Sequence, residues 1–133
     1  MFGDLAESSC PCGTGLPYAA CCQPLHRGAR QAETAVELMR SRYAAYAVGG
    51  TAGRDYVFRT WHPRTRPALD DLDATEATSR TLVWTGLTVH DHGDDWVEFT
   101  ARYDTPDGPG ELHERSRFQR RAGRWTYVDG EVS

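Results

Sequence analysis

Four cysteines fall within thirteen positions of this chain, as Cys10-Pro11-Cys12 and the adjacent pair Cys21-Cys22. Thiols gathered this closely suit three kinds of chemistry: disulfides, a reactive nucleophile, or metal ligation. The spacing C-x-C-x8-C-C supplies four sulfur donors, enough to close a tetrahedral shell around one divalent ion with no position left for substrate. Such a site is a structural or recognition knuckle, not a catalytic one. Two disulfides are disfavoured by the adjacent pair and by a reducing compartment, and no obvious base accompanies a reactive thiol. His26, another good ligand type, is the alternative to one of the four cysteines. The elements needed to gather the ligands are local. Gly13 and Gly15 permit a tight fold after the first pair, and Pro17 suits the first turn of a short helix whose far end delivers Cys21 and Cys22.

The segment C-P-C-G-T-G-x-x-Y-x-x-C-C resembles the SEC-C motif, the short metal-binding tail of the SecA translocation ATPase and of several small bacterial proteins. The resemblance implies Cys10, Cys12, Cys21 and Cys22 as ligands and zinc as the metal, although sulfur ligands also accept iron. The motif's usual form has serine between the glycines and lysines after them; this chain has Thr14, Leu16 and Pro17 there.

The other elements follow from periodicity. Thr34 and Glu37 form a capping box, and Val36, Met39, Tyr43, Tyr46 and Ala47 recur at helical spacing until Gly49-Gly50. A shorter helix is expected over Asp55–Thr60, ended by His62-Pro63, and residues 63 to 79 read as a loop with a helical turn. From residue 80 the period becomes two. Strands are expected over Thr81–His90, with a bulge at Gly86, then Trp96–Asp104, Glu111–Arg120 and Trp125–Asp129. Helices first and an antiparallel meander of about four strands afterwards is an α+β layout, with the sheet curling over the helices. Residues 1–27 form the knuckle and residues 28–133 the α+β domain.

The third strand carries an anomaly. Its alternation puts Leu112, Glu114, Ser116 and Phe118 on one face, so a carboxylate turns inward with the apolar residues. A buried carboxylate needs a partner, and Arg42 on the long helix is the candidate. An ion pair that pins helix to sheet is the favoured reading over a catalytic acid.

Taken together, the knuckle, Glu37-Leu38-Met39-Arg40-Ser41-Arg42-Tyr43, Thr60-Trp61-His62-Pro63, Leu112 to Phe118 and Gly123 to Gly130 resemble the YchJ-like family of bacterial proteins. The resemblance implies a cystatin-like or nuclear transport factor 2-like cone preceded by the SEC-C knuckle. Many members add a second knuckle at the C-terminus; here no cysteine follows Cys22. No reaction comes with the family, and the cone serves enzymes and binding proteins alike. Its pocket would draw on Arg42, Tyr43, Trp61, His62, Tyr103, Glu114, Ser116, Trp125 and Tyr127, with Tyr46, Trp84, Phe118 and Asp129 nearby.

Composition narrows the function. The 133 residues carry a net charge of −4, and every basic side chain is arginine. That sign opposes general nucleic-acid binding. No stretch approaches membrane-spanning length and the first residues lack a targeting signal, so a cytoplasmic location is expected. With no recognisable catalytic triad, the balance favours a non-enzymatic, metal-binding protein whose knuckle meets a protein partner or the ribosome. The alternative is a small-molecule enzyme or ligand-binding protein using the pocket around Glu114. Pairing of sheet faces into a homodimer is a further expectation.

Overall fold

Two loops and a turn build the N-terminal knuckle in the computed structural model, which describes residues 8–72 and 82–133. Gly13 and Gly15 sit at φ of +87° and +85°, where a side chain would be strained, and let the chain double back so that Ser9 bridges Pro17. A 3-10 turn, Tyr18–Ala20, and a short helix α1, Gln23–His26, follow. Pro17 is extended and precedes that turn, and Pro24 occupies the start of α1, so Cys21 and Cys22 lie at the junction of two one-turn pieces rather than at the end of one helix. Proline fits there because the first turn leaves its N–H groups unpaired anyway.

Helix α2, Ala35–Val48, starts with the expected Thr34 cap, whose Oγ1 accepts the Glu37 N–H at 3.0 Å. The Glu37 carboxylate reaches one residue past the cap, Oε1 accepting the Glu33 N–H at 2.7 Å. Gly49, at φ +69°, ends it, and α3, Gly50–Arg59, begins at once. The expected start at Asp55 is therefore five residues late. The stop expected at Gly49-Gly50 lasts no longer than that pair, and Gly53, inside α3, is buried where α3 crosses α2, a contact that favours the absence of a side chain. Residues 69–72 form the expected helical turn, and positions 73–81 of the expected loop and strand start lie outside the described residues.

The sheet is a four-stranded antiparallel meander in the order β1, Val83–His92; β2, Trp96–Thr105; β3, Gly108–Arg121; β4, Arg124–Val132. A register shift between Trp84 and Gly86 marks the expected bulge. Val97, Phe99 and Ala101 of β2 and Phe118 of β3 are buried against Leu38, Met39 and Tyr43 of α2, which makes one core between sheet and helices. Residues Thr60–His62 extend the sheet edge: Tyr127 N–H bonds the Thr60 carbonyl and His62 N–H bonds the Tyr127 carbonyl, each at 2.8 Å. This is the α+β cone expected from the sequence.

Candidate functional site

The four cysteines converge as the spacing implies. Their Sγ atoms all lie within 4.8 Å of one another, and none forms a disulfide. Cys12 to Cys21 is 3.5 Å and Cys21 to Cys22 is 3.9 Å. A tetrahedron of sulfurs about 2.3 Å from a zinc-sized ion has edges of about 3.8 Å, so the donor set fits one such ion. The thiols also bear on one another's ionisation. Hydrogen bonds from Cys10 and Cys22 push the Cys12 thiol far below its usual range, while hydrogen bonds with Cys10 and Cys12 push Cys22 far up, and the bond with Cys12, aided by burial, pushes Cys10 to about 11. Thiols packed this closely oppose one another's ionisation, and a divalent ion at their centre is what would let all four ionise together.

His26 is not a ligand. Its Nε2 faces the Ser41 carbonyl oxygen at 2.8 Å, so Nε2 carries the proton and Nδ1 accepts the Tyr18 hydroxyl at 2.6 Å. Both ring nitrogens are spent on packing. Burial pushes the Tyr18 phenol up to about 12, which keeps it a donor. The knuckle is seated on α2: the cysteines and Tyr18 pack against Ala44 and Val48. Arg40 Nη1 donates to the Cys12 carbonyl at 2.6 Å, and Arg59 Nη2 donates to the Leu25 and His26 carbonyls at 3.0 and 2.8 Å.

A second feature is a cavity of about 290 Å³ between α2 and the inner face of the sheet. Of the nine pocket candidates, Arg42, Tyr43, Trp61, Glu114, Ser116 and Tyr127 line it. His62, Tyr103 and Trp125 do not. His62 accepts the Arg64 N–H at 3.0 Å at the chain surface. Tyr103 packs edge-on against Trp84, covering Gly110. Trp125 reaches the other end of α2 and donates to the Glu33 carbonyl at 3.2 Å. Asp129 also turns away: Val128 is an extra residue opposite the Arg117–Phe118 step, and this bulge puts Asp129 beside Arg117 at 2.6 Å on the outer face.

The expected Arg42–Glu114 ion pair does not form. Arg42 Nη1 instead donates to the Val57 carbonyl and to Thr60 Oγ1, both at 2.8 Å, closing the C-terminus of α3. Its guanidinium lies 4.7 Å from the Tyr127 ring centre and 5.1 Å from that of Trp61. Glu114 Oε2 takes the hydroxyls of Ser116 at 2.5 Å and Tyr127 at 3.2 Å. Tyr127 therefore stands between the two charges. Gly130 leaves the room that the Glu114 carboxyl occupies, since a Cβ there would collide with it.

The sequence reading assigned no role to a polar ladder on the opposite face of the sheet. His90 Nε2 meets Thr100 Oγ1 at 2.7 Å, Thr100 Oγ1 meets His113 Nδ1 at 3.0 Å, and His113 Nε2 meets Glu98 Oε2 at 2.8 Å. The two imidazoles stack 5.3 Å apart. Alternation alone predicts that Thr100 and His113 share this face; their pairing depends on the register of two hairpins.

Comparison with known proteins agrees with this architecture. A family model described as "YchJ, middle NTF2-like domain" matches residues 34–130, and the SEC-C motif matches residues 8–24. A UPF0225 protein of Deinococcus radiodurans is 54% identical over 121 residues, covering 90% of this chain and 86% of the relative. One from Streptomyces coelicolor is 46% identical over 129 residues, covering 92% and 94%. Among solved structures, a SEC-C motif containing protein from Psychrobacter arcticus superposes with a TM-score of 0.79 at 32% identity, covering 97% of this chain and 85% of that one. A SEC-C motif containing protein from Rhodopseudomonas palustris gives 0.78 at 34% identity, covering 95% and 99%. The chain belongs to the YchJ-like, UPF0225 family: a SEC-C cysteine knuckle seated on an NTF2-like cone.

Proposed function

We propose that this chain is a cytoplasmic, non-catalytic binding protein whose zinc-loaded knuckle engages a protein partner, the ribosome being the first candidate surface. The observation that carries the reading is the closed set of four sulfur donors, all within 4.8 Å and with no open ligand position. A shell so complete suits folding and recognition rather than substrate activation. Around it, residues 13–17 are exposed, and Leu16, at 50% exposure, presents an apolar side chain to solvent. Zinc is preferred over iron because nothing in a structural shell needs redox change; iron is the alternative that sulfur donors admit. Among the described residues no helix is long and apolar enough to cross a membrane.

The test joins metal content to capture. Anaerobically purified wild-type chain should carry one equivalent of zinc, and the Cys21→Ser, Cys22→Ser variant none. The wild-type chain should co-sediment with ribosomes or retain a defined partner, and both the variant and a Leu16→Glu chain that still holds metal should lose it. Capture that persists in both variants sinks the knuckle as the recognition element.

A further inference from the structure

The cavity of the cone carries polar groups that the fold leaves unused. Arg42 is buried at 6% exposure, and among the described residues no carboxylate lies within ion-pairing distance of it. Its Nη1 is committed to Val57 and Thr60, which leaves Nε and Nη2 with no acceptor from the described residues. Trp61, also on the cavity wall, has a buried Nε1–H with no partner among the described residues. A donor stranded in this way costs free energy unless something accepts from it. On the opposite side, Glu114 uses only Oε2, for Ser116 and Tyr127, and its Oε1 stays open. Between these groups the walls are apolar and mostly aromatic, chiefly Trp84, Phe99, Leu112 and Phe118.

Charge sets the kind of molecule that fits. One buried cation and one carboxylate already balance, so an ion entering alone would leave an uncompensated charge in a low-dielectric site. A neutral molecule adds none. Volume sets its size: about 290 Å³ is the space of about ten water-sized groups. Tyr46, which lines the cavity and is 44% exposed, marks its mouth, so the space is reachable from solvent.

We propose that the cavity is a binding site for a small, flat, net-uncharged molecule of about ten non-hydrogen atoms. It presents a carbonyl oxygen to Arg42 and an N–H to Glu114, with the Trp61 ring forming part of the wall, the chemistry of aromatic amides and nucleobases. The site is independent of the metal knuckle, so its failure and that of the proposed function are separate events.

The test uses the full, metal-loaded chain and three compounds of one shape: benzamide, benzoate and benzylammonium. Titrations follow the tryptophan indole N–H signals by NMR, with the Trp61 signal assigned from a Trp61→Phe chain. Benzamide should bind saturably at millimolar concentration or tighter and move the Trp61 signal, and each charged analogue should bind about tenfold more weakly or worse. Glu114→Gln preserves the shape but leaves Arg42 as the only charge, so preference should switch to benzoate. Leu112→Phe, which narrows the cavity from its wall, should weaken benzamide at least about tenfold in a chain that still folds. No saturable binding by any compound, tighter binding of benzoate than benzamide to the wild type, an unmoved Trp61 signal, or an unswitched Glu114→Gln chain each overturns the proposal.

Discussion

His26 donates its Nε2–H to the carbonyl oxygen of Ser41 at 2.8 Å, and that contact ties the cysteine knuckle to the middle of α2. The same ring accepts the Tyr18 hydroxyl, so a neutral imidazole bridges the turn between the cysteine pairs and the cone. His26→Phe keeps the ring volume but leaves the Tyr18 hydroxyl buried without its acceptor. The expected cost is about 1–3 kcal/mol, a drop in Tm on the order of 5–10 °C for a chain of this size. Scanning calorimetry at neutral pH decides it; a change of about 1 °C or less contradicts the bridging role.

Acid should weaken the same joint. Burial lowers the His26 pKa below its ordinary 6.5. In the unfolded chain the ring takes up a proton near that ordinary value, whereas in the folded chain it resists. The contribution of neutral His26 is therefore complete above about pH 6.5 and is lost as pH falls from there through the folded-state value. The Tm gap between wild type and His26→Phe should shrink from about pH 7.5 to about pH 5.5. A gap that widens toward acid would mean that the ring is charged in the fold.

Metal removal should be felt beyond the knuckle. Arg40, Arg59 and His26 all bond it to the cone, and Tyr18 and the cysteines cover Ala44 and Val48 of α2. Ions bound only by the folded state stabilise whatever folds with it. Chelation, or the Cys21→Ser, Cys22→Ser change, should lower the melting of the cone itself by about 5 °C or more and raise hydrogen exchange in α2 around Ala44. If exchange rises only in residues 8–26 and the cone's transition stays put, the knuckle is an independent appendage.

Ala122 offers a gain. It sits at φ +53° in the two-residue turn between β3 and β4, a region costly for alanine. The following Gly123 is at φ +80°, which makes this a turn that prefers Asn-Gly. Ala122→Asn should stabilise the chain by about 0.5–1 kcal/mol; urea melts with an unchanged midpoint would refute this.

What the sequence revealed and what it hid divide along one physical line. The cap at Thr34, the strands, the bulge at Gly86 and the inward turn of Glu114 are local patterns, set by hydrogen bonds and alternation within a few residues. The convergence of the four cysteines is legible for the same reason, since all four lie within thirteen positions. What stayed hidden depends on partners distant in sequence. Arg42 had two claimants, Glu114 and the end of α3, and only the packing of α3 on α2 assigns it to the second. Asp129 left the inner face because one extra residue at Val128 shifts its phase. His26 had the right chemistry for a ligand, and only the position of Ser41 shows that it is spent on the joint.

Gly53 sets helix propensity against packing, and the structure says which wins. In isolation Gly→Ala within a helix gains about 1 kcal/mol. At Gly53, however, a Cβ would collide with the Ala45 carbonyl oxygen of α2. That oxygen already accepts the Gly49 N–H at 2.9 Å, the bond that closes α2 before the chain turns into α3. Backbone on both sides leaves no flexible side chain to move aside, so the helices must part. Parting them withdraws Arg42 from Val57 and Thr60, because that arginine spans the same crossing. Gly53→Ala should therefore destabilise by about 1–3 kcal/mol despite its better propensity. Thr51→Ala, at an exposed position of the same helix, is the control and should be neutral or slightly stabilising. Chemical denaturation of the two variants distinguishes the effects: if Gly53→Ala is the more stable of the pair, the close crossing of α2 and α3 is wrong.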